Sequence, residues 1–168
     1  MAGPGNNKPN PPKRNVKDNF FKRELREYRS SAPIDFMANK SNIARNRDCK
    51  SICKDIASGN INIQTECGYF LNPTLIDQLI QYTYSKWWYY KVIAESTEMN
   101  YNYKRSMFGY VPNDQRIIMS VILENRKSAE AYWILYNGFQ GIKYSGDSAG
   151  WLTSMMSQLS AGRYGGNI

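Results

Sequence analysis

Apolar positions recur at helical spacing through much of this chain, and the clearest stripe begins beside a helix-start signal. Asn72 precedes Pro73, an N-cap residue followed by proline at the first helical position. Leu75, Ile76, Leu79, Ile80 and Tyr82 then share one side of a helical wheel, and the stripe continues to about Glu95. A second stripe, Trp151, Leu152, Met155, Met156 and Leu159, predicts a helix over 148–160. Residues 126–137 predict another, with Gly138 as its stop. Ile43, Cys49, Ile52, Cys53 and Ile56 give one within 35–58, strongest from Ser41 or Asn42 and ended by Ser58-Gly59.

Other segments carry weaker patterns. NINIQT at 60–65 suits a short strand or a loop equally, and STEMNYNYKR at 96–105 reads as a polar loop. MFGYV and RIIMSVIL flank Pro112-Asn113-Asp114, which favours a β-hairpin around 106–124; a helix starting after Asn113 is the alternative. The expected fold is mainly α, with four to five helices in an irregular bundle and that one hairpin. A Pro/Gly-rich stretch over 1–15 and a basic amphipathic helix over 16–30 form an extended N-terminal arm. A single helical domain is expected over 31–160, with a flexible Gly-rich tail over 161–168.

Lys86-Trp87-Trp88-Tyr89-Tyr90-Lys91 places four large aromatics in a row. On a wheel of 100° per residue, Trp87, Tyr89 and Tyr90 continue the Leu/Ile face and are expected in the core. Lys86 falls on that apolar side, where a long stem can snorkel outward. Trp88 falls on the polar side, with Tyr84 and Val92 within about 40°. Exposed tryptophan on a polar face suits a contact surface, so Trp88, Tyr84 and Val92 are the candidate protein contacts. The competing reading is a helix sandwiched between two layers, with Trp88 inside.

Charge adds an asymmetry. Residues 1–60 carry 13 Lys/Arg and 6 Asp/Glu, a net of +7, while 61–168 carry 9 and 8, a net of +1. A basic arm suits nucleic acid, anionic lipid or an acidic protein face, and it also suits a plain solubilising tail. Its candidate contacts are Lys13, Arg14, Lys17, Lys22, Arg23, Arg26 and Arg29.

Chemistry leaves little trace. The chain has no histidine, so no Ser-His or Cys-His nucleophile pair can form within it. Neither a GxGxxG nor a GxxxxGK[ST] loop occurs. Cys49 and Cys53 lie one helical turn apart and read as small buried hydrophobes, so neither a metal nor another cofactor is expected. Three cysteines are too few and odd for a secreted disulfide scaffold, which points to an intracellular, reducing compartment or to a particle. Residues 13–29 are also compatible with a mitochondrial presequence. No run approaches the roughly 20 apolar residues of a membrane span.

Three functions follow in order. The first is a non-catalytic structural subunit of a larger assembly (a virion, a ribonucleoprotein or an organellar complex), its arm wrapped on an acidic partner. The second is a nucleic-acid-binding protein that holds RNA or DNA phosphates through residues 1–30. An enzyme with an unrecognised site comes third.

Overall fold

A computed structural model describes residues 48–109 and 114–168 of the chain. Among these residues there are five α-helices, two short 3-10 segments and no strand. The helices are α1 (Cys49–Ser58), α2 (Ile63–Glu66), α3 (Pro73–Phe108), α4 (Gln115–Ser145) and α5 (Ser148–Ala161). The 3-10 segments span Cys67–Leu71 and Gly165–Asn167.

Local chemistry sets most boundaries. Asp48 Oδ1 accepts from the Ser51 N–H at 2.9 Å and caps α1, so this helix begins later than Ser41 or Asn42. Gly59 ends it in the left-handed region, at φ 76°. Asn62 caps α2 through the N–H groups of Gln64 and Thr65, which turns NINIQT into a helical corner and not a strand. Asn72 Oδ1 accepts from the Leu75 N–H at 2.9 Å, and α3 starts at Pro73 as expected.

α3 then runs for 36 residues, past the expected stop at Glu95. Between Thr74 and Phe108 there is neither proline nor glycine, so nothing in the backbone breaks it. The polar 96–105 segment is therefore helix with wet faces, not loop. Only Gly109, left-handed at φ 69°, ends it. The expected hairpin is replaced likewise: Ser106–Phe108 closes α3, and Gln115–Glu124 opens α4. An apolar run that a strand would have to bury on both faces divides around a helix instead. Ile122 is buried while Leu123 is 55% exposed.

α4 also continues through Gly138. That glycine is a notch, not a stop: a Cβ there would meet Met155 Cγ of α5 at 2.2 Å. Gly141 does the same for the Trp151 ring, with Cε2 2.2 Å from a built Cβ. α5 can therefore lie close along α4.

α3 and α4 pair antiparallel. Asp77 meets Lys143, Tyr84 meets Tyr136, Trp87 meets Trp133, and Glu98 meets Arg126. Their proximal parts, with α1, α5 and the 3-10 segments, enclose the core: Ile52, Ile56, Phe70, Leu75, Leu79, Tyr132, Leu135, Phe139, Leu152 and Leu159 are all at most 1% exposed. The glycine-rich end is part of this body, where a flexible tail was expected. Tyr164 and Ile168 pack against the core, and Asn167 Nδ2 donates to Glu124 Oε1 at 3.4 Å. The expected arm (1–30) and residues 31–47 lie outside the described residues.

Candidate protein-contact surface

The aromatic block of α3 meets a second aromatic group on α4. Trp87 lies 4.6 Å from Trp133, measured between ring centroids, and 5.9 Å from Trp88. Tyr84 is 5.3 Å from both Trp87 and Tyr136, and Tyr136 stacks on Trp133 at 5.3 Å. Five rings thus form one continuous band across the outer seam of the helix pair. Lys91 Nζ stands 5.0 Å above the Trp87 ring and 5.6 Å above Trp88, within cation–π range. Gln140 Nε2 donates to the Tyr136 hydroxyl at 2.8 Å and holds that ring in place.

Exposure sorts the band. Tyr84 is 47% exposed, and Trp87, Trp88, Trp133 and Tyr136 are half-buried. Trp87 packs against the core from the rim, so it is less buried than the wheel suggested. Trp88 is neither fully exposed nor sandwiched; its ring leans on Trp87 and carries Lys91. Val92, grouped with them by angle, is only 8% exposed and is removed from the contact set. The wheel gives angle alone and does not say what covers a residue.

A second arrangement lies on the inner side of α3. Lys86 is buried, with Nζ 5.9 Å from the Tyr82 and Tyr89 ring centroids and 5.6 Å from that of Tyr90. It does not snorkel outward; three ring faces surround its charge. Tyr90 stacks on Tyr132 at 6.0 Å with planes 14° apart. Burial pushes the Tyr132 phenol well above its ordinary range, and nearby Cys53 and Tyr82 add to this. Cys53 is fully buried and its thiol is raised as well, first by burial, then by Cys49 and Asp48, with Lys86 opposing. A thiol so placed is a packing group and not a nucleophile.

Among the described residues, no group of three or more Cys, Asp and Glu side chains is placed to hold a metal ion. No described helix is long and apolar enough to cross a membrane. The seven basic candidates, Lys13, Arg14, Lys17, Lys22, Arg23, Arg26 and Arg29, lie outside the described residues. Trp133 and Tyr136 were absent from the sequence-derived set. Their i, i+3 spacing on one helix was visible, but nothing in the sequence set the α3–α4 register that brings them to Trp87 and Tyr84. No family model, curated protein or solved structure matches the chain.

Proposed function

We propose that the protein is a non-catalytic subunit of a larger assembly, and that the Tyr84–Trp87–Trp88–Trp133–Tyr136 band is one of its protein contacts. The observation that carries this reading is the band itself: five linked rings at the surface with a lysine over two of them. Water gains little from ordered, half-exposed tryptophan. A partner that closes over it gains apolar area at small entropic cost, which is why Trp and Tyr dominate contact hot spots.

The band suits protein better than phosphate. Base stacking on a strand needs a row of cations beside the rings, and Lys91 is the cation found over them. A second reading, nucleic-acid binding through the N-terminal arm, rests on the net +7 of residues 1–60.

The test is affinity purification of tagged full-length chain from its source cells, beside a Tyr84→Ser/Trp88→Ser variant. The expected result is stoichiometric protein partners with the native chain and their loss with the variant. Recovery of the native chain alone, as a monomer, would overturn the reading. Recovery with nucleic acid that is released steeply as salt rises, and lost on deletion of residues 1–30, would establish the second reading instead.

A further inference from the structure

The far end of the α3–α4 hairpin is dressed differently from the rest. From Glu95 to Phe108 only Tyr101 is buried, and from Asp114 to Lys127 only Ile122 is. Yet seven of the ten large apolar side chains exposed among the described residues lie between Met99 and Leu123. They do not line one face. On a wheel of 100° per residue, Phe108 falls about 180° from Met99 on α3, and Leu123 about 120° from Ile117 on α4. A single partner helix or sheet covers one side of a hairpin. Apolar groups exposed on several sides suit an apolar medium that surrounds the tip.

Depth along the axis sorts these groups. At 1.5 Å per residue, Met107, Phe108 and Ile117 lie within about 3 Å of the ends of α3 and α4. They are 61%, 62% and 67% exposed. Lys104, Arg105 and Arg116, all exposed, lie within about 6 Å of the same ends. Between Met99 and Leu123 the chain holds one acidic residue, Asp114, against those three cations, a net of +2. The next carboxylates, Glu124 and Glu98, stand about 14 Å and 15 Å back, beyond a Debye length of about 8 Å. Glu98 is also paired with Arg126 at 2.7 Å.

We infer that the tip binds the surface of an anionic lipid bilayer, with its apolar end sunk at the headgroup boundary. Surface-bound segments bury their apolar groups about 5–10 Å into that boundary. At such a depth Met107, Phe108 and Ile117 leave water, and Lys104, Arg105 and Arg116 meet the lipid phosphates through long stems that reach back to them. Tyr103, 63% exposed and about 7.5 Å from the end of α3, stands at the interface, where tyrosine is favoured. A nucleic acid shares the attraction to the cations but gains nothing from exposed methionine and isoleucine. The aromatic band lies about 27 Å or more behind the tip, so this attachment stands without it.

Co-sedimentation of the full chain with phosphatidylcholine vesicles, with and without phosphatidylserine, tests the inference. The expected result is binding that requires phosphatidylserine and weakens as salt rises. Met107→Ser/Ile117→Ser is expected to weaken it about tenfold, and Lys104→Gln/Arg105→Gln about thirtyfold. Met107→Trp is expected to tighten it, because tryptophan favours the interface. Tyr84→Ser/Trp88→Ser is expected to leave it unchanged. Helicity by circular dichroism confirms that each variant is folded. A native chain that binds neither vesicle overturns the proposal, as does equal binding to both. Binding that Met107→Ser/Ile117→Ser leaves unchanged assigns the vesicles to the basic residues of 1–30 and overturns it too. Loss of binding in Tyr84→Ser/Trp88→Ser moves the lipid contact to the aromatic band and equally overturns it.

Discussion

Gly141→Ala is a test of packing in which two known effects oppose each other. Glycine within a helix is unfavourable, and replacing it with alanine ordinarily gains about 1 kcal/mol. Here the new methyl would lie 2.2 Å from Trp151 Cε2, 2.3 Å from Cδ2 and 2.6 Å from Cζ2. Carbon atoms rest at about 3.5–4.0 Å, so the ring must retreat by about 1.5 Å. A flexible chain end could swing aside, but an indole ring moves as one plate. It is also tethered: Trp151 Nε1 donates to Ser145 Oγ at 3.0 Å, and that hydroxyl donates to the Gly141 carbonyl at 2.7 Å. Overpacking costs about 1–3 kcal/mol, and the lost indole hydrogen bond about 1 kcal/mol. After the helical gain, the net expectation is a destabilisation of about 1–3 kcal/mol. Urea denaturation followed by helicity measures it directly. The decisive control is the same change in a Trp151→Ala chain, where the plate is gone and Gly141→Ala should stabilise by about 0.5–1 kcal/mol. A Gly141→Ala protein as stable as the native chain, with Trp151 in place, would refute the notch.

Two further outcomes follow from the aromatic groups. Trp87→Ala should cost about 2–3 kcal/mol, below the full-burial range because the ring sits at the core's rim, whereas Trp88→Ala should cost under about 1 kcal/mol; equal losses in denaturation would mean that both rings are core. The Tyr132 contribution to stability should be level from neutral pH and be lost as pH rises above the ordinary tyrosine value of 10.0, because folded Tyr132 keeps a proton that the unfolded chain releases; the raised Cys53 thiol adds a decline of its own that begins near its ordinary value of 9.0. The slope is about 1.4 kcal/mol per pH unit for Tyr132, and its loss in Tyr132→Phe, read from urea midpoints across alkaline pH, assigns it.

Helix ends that carry a local signal were legible in the sequence. Asn72-Pro73 and Ser58-Gly59 mark boundaries that the structure keeps, because capping and left-handed glycine are settled within one turn of chain. The expected loop at 96–105 and the expected hairpin failed for a shared reason. Both readings took local polarity or apolar content as decisive, when the antiparallel partner helix decides which short segment is helical. Gly138 misled in the same way: as punctuation it suggests a stop, but its small size, like that of Gly141, serves α5, which is near in space and later in sequence. Three of the band's five rings, Tyr84, Trp87 and Trp88, were singled out in the sequence. The other two, Trp133 and Tyr136, depend on register between helices, and register leaves no mark on either helix alone.

The uninterrupted 36 residues of α3 give the hairpin a metric role. At 1.5 Å per residue α3 is about 54 Å long, and the length beyond Glu95 holds the tip about 20 Å from the last residues of the body. Whatever binds the tip is therefore held at a set distance and a set azimuth. Adding one heptad to each helix would move the tip outward by about 10 Å and turn it by only about 20°. Adding three residues to each would advance it by less than half as far and swing its apolar face by about 60°. The hairpin is thus a ruler and a compass together, and the length of the insert sets both readings.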